Sequence, residues 1–173
     1  MQPDDSIGYW LSYAQRCFSS AFSEVLRTHC VEEGKAYVIT PAQWGILSFV
    51  AHEQEQTISA LAQRLGVDAP AVTNIVQRLE QSGLVERVRD REDQRVVKVS
   101  LSEEGQEIMR SLQPVVEVFN EQLLPGSQRQ MFLEDLQRFI ARVSTIVPES
   151  AGRFGFLREH LGYRKSEESP EEE

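Results

Sequence analysis

The chain of 173 residues is short of cysteine, of long apolar runs and of positive charge. Its two cysteines are too few for a disulfide framework. No stretch approaches the roughly 18 consecutive apolar residues of a membrane span. Neither the basic nor the apolar region of a signal peptide occurs in the acidic opening MQPDDSIGYW. These absences predict a cytoplasmic protein with no membrane partner.

Features of an enzyme or of a metal site are also missing from the sequence. His29, His52 and His160 have no metal-ligand spacing, either among themselves or with the cysteines. There is no glycine-rich cofactor loop, and too few residues remain to build a separate catalytic domain. The sequence therefore predicts that the protein is not an enzyme and needs neither a cofactor nor a metal ion.

Two short amphipathic helices are predicted within residues 57–83. Each has apolar side chains at the i, i+3, i+4, i+7 spacing that forms one helix face; these are Ile58, Leu61, Ala62 and Leu65, then Val72, Ile75, Val76 and Leu79. Gly66 suits a left-handed C-cap, Asp68 an N-cap and Pro70 the first turn of the second helix, which Gly83 is expected to end. So short a connection predicts a helix-turn-helix.

The polar face of the second helix has side chains suited to reading DNA. It has small residues at its N-terminal end and amide, hydroxyl and guanidinium groups farther along: Ala69, Ala71, Thr73, Asn74, Gln77, Arg78 and Gln81. Small residues, Pro70 among them, let a helix N-terminus approach phosphates. Asn and Gln pair with adenine, and Arg pairs with guanine. A merely solvated polar face is the alternative, and the helix alone does not decide between them.

Two strands joined by a charged loop are predicted next, at residues 84–89 and 95–101. This hairpin has five cations, which suit phosphate contacts and the insertion of an arginine into a minor groove; they are Arg87, Arg89, Arg91, Arg95 and Lys98. Asp90 and Asp93 are expected to orient neighbouring arginines, because a carboxylate near a phosphate is repelled. A solvated loop is the alternative interpretation of these charges.

The formal net charge of −9 argues against a nucleic-acid partner only if it is spread evenly. Residues 56–100 contain seven Lys and Arg against six Asp and Glu, so the rest of the chain carries −10. The local potential, rather than the total charge, decides whether a surface meets DNA. The acidic composition therefore does not exclude double-stranded DNA as a partner.

From Thr40 to Ser102 the sequence resembles the MarR family of bacterial transcriptional regulators. The resemblance is carried by the segments TPAQWGIL, ISALAQRLGV, AVTNIVQRLEQSGLVER and DREDQRVVKVSLSEEG. It implies a mainly α fold with a small β-hairpin wing, in which a winged helix-turn-helix is flanked by N- and C-terminal dimerisation helices. It also implies that the helix at 69–81 enters the major groove, that Arg91 and Arg95 approach the minor groove, and that Asp93 braces the wing.

The resemblance and the apolar periodicity together predict the domain organisation. A MarR-type domain is expected over 6–147, with dimerisation helices at 6–30 and 102–147 and a DNA-binding lobe at 40–101. The first helix has an apolar stripe, formed by Ile7, Trp10, Leu11, Ala14, Cys17, Phe18, Ala21, Phe22 and Val25. Ser102 should cap a helix that Pro114 kinks, and Phe132, Leu136, Phe139, Val143 and Val147 continue the pattern. A monomeric bundle is the alternative, and 148–173 is predicted to be an acidic, at least partly disordered tail.

The implied function is that of a homodimeric regulator, expected to be a repressor, that binds a pseudo-palindromic operator and is released by a small, often aromatic, ligand. Trp10, Tyr13, Arg16 and Trp44 are the candidate ligand-binding residues, with aromatic walls and a cation; tryptophans packed in the core and a solvated Arg16 are the alternative.

Oxidant sensing through Cys17 is a second possibility of the same fold. Ala21, Val31 and Ala42 take the place of tyrosines that surround the reactive cysteine in the peroxide-sensing branch. A winged helix used only for protein contacts is a third.

Overall fold

The computed structural model describes residues 5–90 and 96–146, with 144–146 in backbone only. Within these ranges the chain forms helices and a small sheet in the following order: α1 Ile7–Glu32, α2 Pro41–Glu53, β1 Glu55–Thr57, α3 Ile58–Leu65, α4 Ala69–Gln81, β2 Val85–Arg89, β3 Val97–Leu101, α5 Glu103–Leu123 and α6 Ser127–Ile146. None of these helices is long and apolar enough to span a membrane. The predicted mainly α fold with a β-hairpin is confirmed.

Local capping explains why α3 and α4 begin and end where they do. The Thr57 hydroxyl accepts a hydrogen bond from the N–H of Ala60, and Gly66 closes α3 in the left-handed conformation with φ 64°. The Asp68 carboxylate then accepts from the N–H of Ala71 at 2.8 Å and starts α4. The predicted helix-turn-helix is present, with its caps at the expected residues.

A capping box starts the helix before this motif. The N–H of Gln43 donates to the Thr40 hydroxyl at 3.3 Å, and the N–H of Thr40 donates to the Gln43 side-chain oxygen at 2.9 Å. Pro41 occupies the first helical position, where its missing N–H costs nothing. These residues fix the entry of α2 at the start of the lobe.

The sheet has three strands, one more than the sequence predicted. Its order is β1-β3-β2, and both pairings are antiparallel. The unpredicted strand β1 pairs Glu55 with Ser100 and Thr57 with Lys98. The predicted strand at 84–89 begins one residue too early, because the N–H of Leu84 donates to the carbonyl of Leu79 and closes α4.

One hydrophobic core joins the helix-turn-helix to the flanking helices. Its fully buried members come from α1, α2, α3, α4 and α5, and they include Leu26, Ile46, Leu61, Val76, Leu79, Ile108 and Leu112. The strands contribute Val85 and Val99. The lobe therefore rests on α5 and on the C-terminal half of α1.

The N-terminal half of α1 and most of α6 lie outside this core. Ile7 is 65% exposed and Trp10 is 53% exposed, although both lie on the predicted apolar stripe. In α6, Met131 and Phe132 are 61% and 48% exposed. The helix α6 packs only loosely on the other described elements, and α5 runs through Pro114 as a single helix. A single chain thus leaves the apolar side chains in the N-terminal half of α1 and along much of α6 uncovered.

Candidate nucleic-acid interface

The amphipathic helix α4 presents its polar side chains to solvent. Its apolar residues face the core, where Val72, Val76 and Leu79 are fully buried. Five of the predicted DNA contacts on this helix are exposed: Ala69, Pro70, Asn74, Gln77 and Arg78. Ala71 and Thr73 are half-buried, and the Thr73 hydroxyl donates to the carbonyl of Ala69 at 2.8 Å. The packing of one face therefore fixes the orientation of the other.

The N-terminus of α4 already has an anion at its backbone N–H groups. Pro70 has no N–H, the N–H of Ala71 donates to the Asp68 carboxylate, and that of Val72 donates to the Asp68 carbonyl at 3.3 Å. The Asp68 carboxylate therefore occupies one of the N–H groups of the helix end at which the sequence predicted an approach to phosphate.

Two cations of the predicted wing are held by carboxylates within the fold. The Arg87 guanidinium binds Glu80, with Nε 2.8 Å and Nη2 2.6 Å from Oε2, which ties β2 to the last turn of α4. Lys98 binds Asp90 at 2.7 Å and Glu55 at 3.5 Å, and the hydrogen bond from Lys98 to Asp90 raises the pKa of Lys98. The structure thus places Arg87 and Lys98 in positions that brace the wing.

Arg78 and Arg89 remain as the exposed cations of this surface. Among the described residues, neither forms an ion pair with a carboxylate. Arg89 is the last residue of β2. The candidate contacts Arg91, Asp93 and Arg95 lie outside the described residues.

The predicted ligand-binding residues do not come together in one chain. Tyr9, Trp10 and Tyr13 form an exposed aromatic cluster, and the Arg16 guanidinium carbon lies 5.9 Å from the Tyr13 ring. Trp44 instead packs edge-on against Phe22, with ring centroids 6.2 Å apart. Phe22 follows Tyr13 by nine positions in α1, about 13 Å along the helix axis. Trp44 therefore packs against the hydrophobic core, away from the other three candidate ligand-binding residues.

A groove lies between α1 and α5, two helices that the sequence assigned to dimerisation. It has a volume of about 550 Å³, and Val25, His29 and Phe119 are among its walls. The His29 ring nitrogen lies 2.9 Å from the Ser111 hydroxyl and connects the two helices. None of the four candidate ligand-binding residues lines this groove. Sequence spacing offered no signal for it, because its walls come from helices far apart in the chain.

The two cysteines have different environments. Cys17 is exposed on α1, whereas Cys30 is completely buried in the core, and both are free thiols. Within a single chain only Cys17 is accessible to an oxidant.

Comparisons with known proteins show which family the chain resembles. Residues 39–96, which cover α2 to the wing, match the MarR family model. The regulator SarZ of Staphylococcus epidermidis is 29% identical over 109 residues, which is 62% of this chain and 74% of that protein. The homoprotocatechuate degradative operon repressor of Escherichia coli is 29% identical over 140 residues, 79% of this chain and 89% of that protein.

Solved structures show the same fold. A probable transcriptional regulator from Pseudomonas aeruginosa superimposes with a TM-score of 0.68 and 26% identity, over 82% of this chain and 99% of that one. The regulator AbfR, solved in its reduced form bound to DNA, superimposes with a TM-score of 0.60 and 23% identity, over 79% of this chain and 93% of that one. With its helix-turn-helix, its β-hairpin and these relatives, the chain is similar to the MarR family of winged-helix transcriptional regulators.

Proposed function

We propose that the protein is a sequence-specific repressor that binds a pseudo-palindromic operator as a homodimer and is released by a small aromatic ligand. The homodimer is supported by the uncovered apolar surface of α1 and α6, on which Trp10, Phe18 and Phe132 are each about half exposed. Large apolar side chains left exposed along a helix in this number are typical of protein interfaces. The repressor role is supported by the name of the Escherichia coli relative.

A symmetric dimer would place two copies of α4 on one face of the DNA. Adjacent major grooves on one face lie about 34–36 Å apart, so two α4 helices at that separation read half-sites one helical turn apart. AbfR, whose fold this chain shares, was solved on DNA. Affinity then depends on the separation of the two helices as well as on the contacts of each.

A ligand releases DNA only if its affinity differs between the arrangement of the two DNA-binding lobes that fits DNA and the arrangement that does not. The aromatic cluster of Tyr9, Trp10 and Tyr13, with Arg16 beside it, offers ring faces and a cation to an aromatic anion. Trp44 would join such a site only if a second subunit or a movement brought it near. Thermal shift against a panel of small phenolic acids tests this part of the proposal.

Thiol-based sensing through Cys17 is the alternative that an observation favours. The Cys17 thiol is exposed in the single chain. Operator binding that is lost on mild oxidation and restored by reductant, in the wild type but not in Cys17→Ser, would support it. A response to phenolic acids that is the same with and without reductant would favour the ligand mechanism.

The proposal as a whole is tested by a gel shift with DNA from upstream of the protein's own gene. We expect a single dimer-sized complex whose affinity falls as salt rises, because bound phosphates release counterions. Absence of salt-dependent binding to any palindromic DNA would contradict the operator-binding role. Elution of the wild-type protein as a monomer in sizing chromatography would contradict the proposed homodimer.

Arg89→Ala and Arg87→Ala should have different effects on DNA binding. Arg89→Ala should weaken binding to all sequences and lower the slope of log affinity against log salt by about 1, as for one phosphate contact. Arg87→Ala should leave that slope nearly unchanged, because its guanidinium is occupied by Glu80. Fluorescence anisotropy at several salt concentrations measures both slopes. If both variants lower the slope equally, Arg87 also contacts a phosphate.

Gln77→Ala should relax sequence preference at one base position. Gln77 is exposed in the middle of the polar face of α4, and a bidentate amide contact to adenine contributes about 1–3 kcal/mol of discrimination. Binding to operators with single-base changes measures this preference. The control is Gln128→Ala, an exposed glutamine in α6. Uniform weakening across operators would instead identify Gln77 as a phosphate contact.

A further inference from the structure

Gly105, in the first turn of α5, lies directly against the backbone that follows α4. A Cβ atom at this position would be 2.0 Å from the carbonyl oxygen of Leu84 and 3.0 Å from its carbonyl carbon. The obstacle is backbone and cannot rotate away, so a side chain here must displace either α5 or the start of β2. Only glycine, which has no Cβ atom, therefore fits at position 105 without a shift of the backbone.

Hydrogen bonds hold the same contact together from both sides. The N–H of Ser102 donates to the carbonyl of Leu84 at 3.1 Å, and the Ser102 hydroxyl donates to the carbonyl of Gly83 at 2.5 Å. The same hydroxyl caps α5 by accepting from the N–H of Gly105 at 3.0 Å. We call these four residues, Gly83, Leu84, Ser102 and Gly105, the α4–α5 joint.

The first turn of α5 is also bound to the loop that follows α1. Glu104 accepts hydrogen bonds from Lys35 at 2.9 Å and from the Tyr37 hydroxyl at 2.7 Å. The hydrogen bond from Tyr37, followed by that from Lys35, lowers the pKa of Glu104. The start of α5 is therefore bound both to the segment that follows α4, the proposed recognition helix, and to the loop that follows α1.

A small rotation at this joint would become a large displacement at the far end of α5. A helix of 21 residues is about 31 Å long, so a tilt of about 5° moves its end by nearly 3 Å. Half-sites one helical turn apart are separated by about 34–36 Å for 10–10.5 base pairs, so ~3 Å corresponds to about one base pair. A change of about 5° in the angle at the joint would thus be enough to alter the matching operator spacing by about one base pair.

We propose that Gly105 is a positioning residue that sets the distance between the two recognition helices and so selects the half-site spacing of the operator. It acts through α5 and does not touch DNA. This inference rests on the proposed homodimer.

The test compares Gly105→Ala with Gly8→Ala on DNA selected from a randomised library. Gly8 also lies in the first turn of a helix, but a Cβ there would be 3.7 Å from the Ser6 hydroxyl, an ordinary contact. Wild type and Gly8→Ala should select the same half-site separation. Gly105→Ala should shift that separation by one base pair or more, or broaden it, while its affinity for an isolated half-site stays within about twofold of the wild type.

A second variant covers the case in which Gly105→Ala does not fold. Ser102→Ala adds no atom to the joint and removes the hydroxyl that binds Gly83 and caps α5, and it should broaden the selected spacing. A folded Gly105→Ala, or a Ser102→Ala, that keeps the wild-type spacing and affinity overturns the role of the joint. If the wild type itself selects no paired half-sites, the homodimeric reader is wrong, and the spacing role is overturned with it.

Discussion

Replacing Leu79 by alanine should lower the free energy of unfolding by about 2–5 kcal/mol, the usual cost of deleting a buried leucine side chain and leaving a cavity. Leu79 is completely buried in the last turn of α4. Its carbonyl also accepts the hydrogen bond from the N–H of Leu84 that closes the helix. The side chain therefore anchors the recognition helix on the core at the point where the chain turns into β2.

Urea denaturation followed by circular dichroism measures this loss. The control is Val67→Ala, which trims an apolar side chain that is 44% exposed in the turn before α4, and its effect should stay within about 0.5 kcal/mol, as for an ordinary surface substitution. A similar loss for both variants would show that α4 is not held by this face. DNA affinity of Leu79→Ala should fall in proportion to the unfolded fraction, because none of its DNA-facing groups is removed.

The helix-turn-helix was predictable from sequence because its determinants are local. The positive φ at Gly66 and the Asp68 cap act within a few residues, and one apolar face per helix is visible as a period in the sequence. The same local features that determine these helices also orient the polar face of α4. Its candidate DNA contacts Asn74, Gln77 and Arg78 could therefore be placed on the surface before the structure was known.

Features that depend on distant pairing were not predictable in the same way. The strand β1 has three residues, EQT, with no apolar alternation, and it exists because β3 offers an edge to pair with. Arg87 was interpreted as one of five wing cations, whereas its partner Glu80 lies on α4. The space around Gly105 likewise depends on the carbonyl of Leu84, which sequence spacing does not place.

The flanking helices show a different limit. Their apolar stripes predicted helices with one apolar face, and α1 and α6 are helices. A stripe does not say which surface will cover it, so a monomeric bundle and a dimer fitted the same pattern. In the structure the C-terminal half of α1 is covered by the chain's own core, with Leu26 and Cys30 fully buried, while the N-terminal half is not.

The second large effect is expected for Phe132→Glu in α6. In a single chain Phe132 is 48% exposed, so a carboxylate there stays hydrated and the fold should be unchanged. In a dimer interface the same carboxylate would lose water without gaining a partner, which costs about 3–5 kcal/mol. The dimer dissociation constant should therefore rise by roughly 100- to 4,000-fold, since each 1.4 kcal/mol is a factor of ten.

Sedimentation equilibrium measures the dimer, and circular dichroism shows that the helices remain. The control Gln137→Glu adds the same charge to the same helix at an exposed polar position, about 140° around the axis from Phe132, and should leave the dimer intact. Operator affinity should fall for Phe132→Glu alone, because two recognition helices bind cooperatively only while they are linked. If Phe132→Glu remains a dimer with unchanged affinity, α6 does not form the interface, and the exposed face of α1 would have to join the subunits without it.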